Sequence, residues 1–237
     1  NTLGELAAGM AHELNQPLAA ISSYATGTLN LLPADGPVDE LQQHLPDVRM
    51  AVQRMAYQAE RAGKVIKSVH DFVRRRGQSR EFVQVRELLD AVLPLVRLQA
   101  RKLEVEVFTE LAPALPAVYC DRTMVEQVLL NLSRNGMQAM DHPDCVLREL
   151  HMAVRLGAGA DGRAWVEFVV ADGGVGISDD VAHQLYTPFF TTKDEGMGLG
   201  LSLCRTVAEQ HGSHLVHQHN SPQGTIFSFT LPTWRND

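Results

Sequence analysis

Two long runs of apolar residues at alternating steps of four and three dominate the first third of the chain, and they leave room only for paired helices. The first run is Leu3, Ala7, Met10, Leu14, Pro17, Ile21, Tyr24, Thr28 and Leu31. The second is Leu41, Leu45, Val48, Val52, Met55, Ala59, Ala62, Ile66, Val69 and Val73. A heptad-like stripe this narrow has to be covered by another helix. Between the runs stands Pro33-Ala34-Asp35-Gly36-Pro37, whose prolines and glycine a helix cannot cross. Pro46 interrupts the second run, so either the second helix starts there with the proline near its first turn or a preceding turn is kinked, and the reading favours the start. The pair is expected to form an antiparallel hairpin with too little apolar partner surface of its own, so that two copies complete a four-helix bundle.

The pattern changes after Arg76-Gly77-Gln78-Ser79, which places a domain boundary between a helical part, residues 1–77, and a second part, residues 78–237. A length of 237 residues accommodates both. In the second part, Val85–Lys102, Asp121–Met140 and Leu199–His211 have helical periodicity. Leu103–Leu111, His151–Leu156, Ala164–Ala171, Leu215–His219 and Thr225–Leu231 have the character of strands. Helices interleaved with strands predict an α/β sandwich, and an α+β chain as a whole.

Composition narrows the partners. A net charge of -7 argues against nucleic acid, which needs a concentrated basic face. No apolar run approaches the roughly 20 residues that span a bilayer, so this part of the protein is expected to make no membrane contact. Cys120, Cys145 and Cys204 stand at unpatterned spacings that suit a reducing cytosol. The chain begins at Asn1 inside what already reads as a helix, so an excised fragment whose preceding part is missing is expected.

Chemistry concentrates at four places. The first is Ala11-His12-Glu13-Leu14-Asn15-Gln16-Pro17-Leu18. With Met10 and Leu14 on the seam, His12 falls on the outward side of its helix, where another domain can reach it. A neutral imidazole is nucleophilic near pH 7 when a neighbour fixes its tautomer, and Glu13 is placed to do so. Pro17 removes the hydrogen bond to the Glu13 carbonyl and is expected to loosen the helix beside the acceptor. Gln16 occupies the place where a zinc protease would have its second histidine, which excludes that reading. The second place is Asn131 and Asn135, four apart on one helix face, with Arg134 nearby: amide oxygens for Mg²⁺ or water and amino groups for phosphate. The third is Asp172-Gly173-Gly174-Val175-Gly176, in which a carboxylate at a strand end can accept from an exocyclic amino group and glycines let a planar base approach. The fourth is Thr187–Lys193 followed by Gly196-Met197-Gly198-Leu199-Gly200 ahead of a helix, a loop whose amides and helix dipole suit triphosphate oxygens and which can act as a lid.

In this order the four segments resemble the H, N, G1 and F/G2 boxes of sensor histidine kinases, in the subgroup typified by oxygen and dicarboxylate sensors, and of the GHKL ATPase superfamily. The resemblance covers Gly4 to Pro232. It implies a dimerisation and histidine-phosphotransfer domain followed by a Bergerat-type ATP-binding domain, with ATP and Mg²⁺ as ligands, a homodimer, a response-regulator receiver domain as partner, and an upstream sensor domain missing from the fragment. His12 becomes the phosphoryl acceptor assisted by Glu13, and Gln16 a candidate for orienting water in regulator dephosphorylation. Asn135 becomes the magnesium ligand. Asn131, Arg134, Asp172, Gly174, Gly176, Thr192, Lys193, Gly196, Gly198, Leu199 and Gly200 become nucleotide-binding residues, with Thr225 supporting Asp172. A cytoplasmic location follows for this part, whether or not the parent protein is tethered to a membrane.

The sequence departs from the family pattern twice. Gly136 stands where alanine is usual and costs the helix about 1 kcal/mol. Gly173 replaces a common asparagine, a change read as tolerable because that position does not read the base. Two other readings compete: a GHKL ATPase that drives clamp closure, which leaves His12–Pro17 unexplained, and a nucleotide-binding scaffold that has lost transfer. His211, His214, His217 and His219 cluster without a cysteine or carboxylate to complete a metal site, so a solvated strand face is expected there.

Overall fold

A computed structural model describes the backbone of residues 2–32, 38–74, 80–158, 163–193 and 198–234, and their side chains except at 2–13, 38–41, 64–65, 67–74 and 158. The chain divides into two compact units, Asn1–Arg76 and Gly77–Asp237.

The first unit is a hairpin of α1 (Thr2–Leu31) and α2 (Val38–Arg74), packed against each other. Pro46 lies inside α2 rather than at its start. The seam continues on both sides of it, and a helix of 37 residues tolerates one missing backbone hydrogen bond where water can satisfy the freed carbonyl. Pro17 likewise lies within α1, where it is buried.

The α2 seam separates into two rows of seven-residue spacing. Val48, Met55 and Ala62 are half-buried or buried. Leu45, Val52 and Ile66 are 57%, 51% and 56% exposed. One hairpin therefore covers only half of its own stripe.

The second unit is built on a five-stranded sheet in the order β2-β4-β5-β7-β6, from β2 (Glu106–Leu111), β4 (Glu149–Ala158), β5 (Ala164–Asp172), β6 (Val216–His219) and β7 (Thr225–Pro232). β2 and β4 run parallel and the other pairs antiparallel. The short strands β1 (Glu81–Val83) and β3 (Val118–Cys120) pair separately. The helices are α3 (Val85–Lys102), α4 (Arg122–Met140), the four-residue α5 (Asp179–Ala182) and α6 (Gly200–Gln210). Leu103 and Glu104 form a turn instead of opening β2, with Glu104 at a φ of 53°.

Period-2 alternation turns Val166, Phe168 and Val170 of β5 into the core, together with Phe227, Phe229 and Leu231 of β7. Leu88, Leu89, Val92 and Val96 of α3 and Val125, Val128, Leu129 and Leu132 of α4 complete the same cluster. Asp172 ends the inward row of β5, so the alternation that builds the core also buries a carboxylate at its edge.

His211 joins two helix ends. Its Nδ1–H donates to the Val207 carbonyl at 2.7 Å, and its Nε2 accepts from the Asp121 amide at 3.0 Å. Asp121 is the N-cap of α4, its carboxylate accepting from the Met124 amide at 3.0 Å. Arg80 donates to the neighbouring Gln210 carbonyl. His211 thus leaves the histidine cluster as a buried structural residue, while His217 pairs with the Tyr186 hydroxyl at 3.1 Å.

Burial lowers the pKa of His211, helped by Arg80 and opposed by the Val207 carbonyl and Asp121. The folded state therefore holds the neutral ring, and protons bind preferentially to the unfolded chain. This contribution is complete above the unfolded value near 6.5 and is lost as pH falls through it toward the lower folded value. Thermal unfolding followed from pH 7.5 down to 5 should show stability falling below about pH 6.5. The fall should be shallower in His211→Gln, which should also lose roughly 1–2 kcal/mol at pH 7.5 with the buried bonds.

Candidate functional site

The site begins at Asp172. Its Oδ1 accepts from the Gly174 amide at 2.9 Å and the Thr225 amide at 3.2 Å. Thr225 thus supports Asp172 through its backbone. Both bonds fall on Oδ1, which leaves Oδ2 available, among the described residues, to accept from a ligand. The carbonyl of Asp172 is held in turn by the Asn220 side-chain amide at 2.8 Å. Burial raises the carboxyl pKa, while the two amides and the charge of Lys193 pull it down. A carboxylate fixed through one oxygen, with the other open, is suited to reading an amino group.

The two departures from the family pattern acquire steric reasons around this carboxylate. At Gly173 a Cβ would stand 2.3 Å from the Leu147 carbonyl oxygen, because the segment before β4 passes directly over the turn. Asparagine, or any side chain, is excluded there unless that segment moves. A packing contact outside the motif therefore gives this position a steric reason to be glycine. At Gly136 a Cβ would lie 2.9 Å from the Asp172 Cβ, 3.1 Å from Leu150 Cδ1 and 3.3 Å from Asp172 Oδ2. The residue that weakens α4 thus lets the carboxylate sit close against the helix.

α4 carries the remaining polar groups on two differently directed asparagines. Asn131 is buried, its Oδ1 accepting from Gln127 Nε2 at 3.4 Å and Arg134 Nη2 at 3.3 Å. The Cys204 thiol of α6 donates to the Val128 carbonyl at 4.0 Å, and burial pushes its pKa up to about 12 while Asn131 works the other way. Asn135 is only partly buried, and its Nδ2 lies 4.0 Å from where a Cβ on Gly200 would stand, so it faces the start of α6. The shared helix face foreseen from the sequence thus has one inward member, packed toward α6, and one at the edge.

The F and G2 segments meet through the backbone. The Phe189 amide donates to the Gly198 carbonyl at 2.9 Å. Gly198 has a φ of 63°, and a Cβ there would lie 2.2 Å from the Phe189 carbonyl carbon, so only glycine fits. Leu199 is buried and its carbonyl accepts from the Ser202 hydroxyl at 3.0 Å. Thr192 is exposed beside Lys193, whose Nζ donates to Gln138 Oε1 at 2.7 Å. Partial desolvation and the charge of Arg134 lower the Lys193 pKa, and Asp172 raises it. Gly176 lies in the turn beyond Gly174 with a φ of 79°.

Gly196, and the side chains of His12 and Glu13, lie outside the described residues, as does the outward direction expected for His12; Gln16 is exposed on α1. Among the described residues no three His, Cys, Asp or Glu side chains gather as a metal cluster. The single amide oxygen of Asn135 fits Mg²⁺, which takes few protein ligands and completes its shell with water and substrate phosphates.

Three participants escaped sequence reasoning. Gln138, one turn after Asn135, holds Lys193; Asn220 holds the Asp172 backbone; Leu147 crowds Gly173. Only Gln138 had a signal, its i+3 spacing from Asn135.

Residues 2–78 match the family described as His Kinase A (phospho-acceptor) domain, and residues 120–235 match Histidine kinase-, DNA gyrase B-, and HSP90-like ATPase. The C4-dicarboxylate transport sensor protein DctS of Rhodobacter capsulatus is 43% identical over 98% of this chain and 34% of its own length. Sensor protein FixL of Bradyrhizobium diazoefficiens is 40% identical over 98% of this chain and 44% of its own. The chain therefore spans less than half the length of these curated relatives. Among solved structures, histidine kinase ThkA in complex with response regulator protein TrrA superposes with a TM-score of 0.62 at 22% identity, over 98% of this chain and 62% of that one, a likeness of fold. With both domain types in order, and the G1 carboxylate, N-box helix and G2 glycines assembled in its second unit, the chain belongs to the sensor histidine kinases, as a catalytic core with a GHKL-type ATP-binding domain.

Proposed function

We propose that this chain phosphorylates His12 from ATP and passes the phosphoryl group to an aspartate on a response-regulator receiver domain, working as a homodimer in the cytoplasm. The domain boundary in this reading lies between residues 77 and 78. The observation that carries it is the Asp172 carboxylate, tethered through Oδ1 and, among the described residues, without a hydrogen bond on Oδ2, beside an α4 whose Asn135 faces Gly200. Asp172 reads the adenine amino group, with Gly174 and Thr225 holding its geometry. Asn135 supplies an oxygen to Mg²⁺, which when bound neutralises phosphate charge. Arg134, Thr192, Lys193, Gly196, Gly198, Leu199 and Gly200 serve the phosphate chain, Gly176 leaves the base room, and Asn131 keeps α4 in register with α6. A ring nitrogen of His12 attacks the γ-phosphorus, the bond to the β-bridging oxygen breaks, and ADP leaves; Glu13 balances the imidazole charge. Positioning and charge neutralisation supply most of the acceleration.

The homodimer is supported by the uncovered half of the α2 seam, Leu45, Val52 and Ile66. A second hairpin would bury that row and complete the four-helix bundle. The regulator partner is supported by the complex of ThkA with TrrA. No described helix is long and apolar enough to cross a membrane.

Incubation with γ-labelled ATP should place an acid-labile, base-stable phosphate on the wild-type protein and none on His12→Gln; label surviving in that variant would overturn the assignment. Asp172→Asn can keep its oxygen on the two backbone amides but puts an NH2 donor where Oδ2 would accept, and should weaken ATP binding at least tenfold, a loss of about 1.5–3 kcal/mol typical of hydrogen bonds to charged groups, as read by calorimetry. Leu45→Lys with Val52→Lys should shift the protein toward monomer in sedimentation at micromolar concentration. Gln16→Ala should slow dephosphorylation of the regulator while leaving His12 labelling in place, and an unchanged rate removes the case for that residue.

A further inference from the structure

The contact between Lys193 and Gln138 is not used by the reading above. It spans 55 residues and joins the F segment to the N-box helix through side chains alone, Lys193 Nζ donating to Gln138 Oε1 at 2.7 Å. Gln138 stands one turn beyond Asn135 and four residues beyond Arg134, on the exposed side of α4. The two charges that act most on the Lys193 ammonium are Arg134, which repels it, and Asp172, which attracts it. The bond to Gln138 therefore holds the ammonium against the N-box helix, one turn beyond Asn135.

The acceptor chosen there is a neutral amide. A lysine ammonium has three N–H donors, and one bond to an amide oxygen leaves two donors and the full positive charge for another ligand. A lysine stem with four rotatable bonds loses up to about 2 kcal/mol of side-chain entropy when it is fixed. A bond made before ligand arrives meets part of that loss in advance. An acidic acceptor would also fix the side chain, but would cancel the charge that a phosphate seeks.

We infer that Gln138 is a positioning residue that holds the Lys193 ammonium beside the N-box helix for the phosphate chain of the nucleotide, contributing to phosphate recognition and not to recognition of the base. This rests on the reading of Lys193 as a nucleotide-binding residue, and the two can fail separately.

The test is a double-mutant cycle on the whole chain with Gln138→Met and Lys193→Ala. Methionine keeps the length and helix preference of glutamine and removes the acceptor. Binding of a non-hydrolysable ATP analogue and of adenosine is measured by calorimetry and by NMR titration. Gln138→Met should weaken the analogue about three- to tenfold and leave adenosine unchanged, and it should have no further effect in the Lys193→Ala background. Equal weakening of analogue and adenosine would mark a general structural role and overturn the proposal. So would the same loss whether Lys193 is intact or substituted, or no loss at all. Should Lys193→Ala itself leave analogue binding unchanged, the placement of Lys193 in the nucleotide site fails first, and the proposal with it.

Discussion

A buried carboxylate at the end of a β-strand organises the second unit. Asp172 belongs by alternation to the same inward row as Val166, Phe168 and Val170, so the sheet that forms the core also carries the charge to the edge of the core. Left bare, such a group would neutralise or destabilise its surroundings. The amides of Gly174 and Thr225 hold it from two different strand ends, and this ties the turn after β5 to the start of β7. Both bonds use one oxygen, and the arrangement that stabilises the group is also the one that leaves a directed acceptor for a ligand.

Around that carboxylate the backbone, more than the side chains, sets how closely the segments approach. Gly136 lets α4 approach Asp172, Gly173 lets the segment before β4 cross the turn, and Gly198 lets the G2 segment lie against Phe189. A methyl group at any of the three would meet protein atoms at 3 Å or closer. His211 and Asp121 couple the far end of α6 to the first turn of α4, so the helix that follows the G2 glycines and the helix that bears the N-box asparagines are joined at that end as well.

The first unit is held together on different terms. Its two helices share one face and leave a second apolar row open, so hydrophobic burial within one chain is incomplete. The helical register that exposes this row follows from seven-residue spacing alone, and a proline within each helix does not displace it.

The long helices, the interleaved strands and the order of the motifs were legible in the sequence, because periodicity and glycine–proline punctuation are local properties. The predicted bounds of α3 agree with the structure, and Asp121 was included in the predicted helix that it caps. Three-residue strands such as Glu81–Val83 and Val118–Cys120 were missed, since three residues cannot display a period. Pro46 lies inside α2 although a proline locally favours a helix start, because the seam continues on both sides of it. The candidate site divides in the same way. Residue types at Asn135, Asp172 and Gly198 could be read from the chain itself, as chemistry and spacing. Which oxygen of Asp172 stays open, why Gly173 cannot be asparagine, that Asn131 turns inward while Asn135 does not, and that Gln138 reaches Lys193 were decided only by tertiary structure. Each depends on atoms brought together from distant parts of the chain, and no local rule contains them.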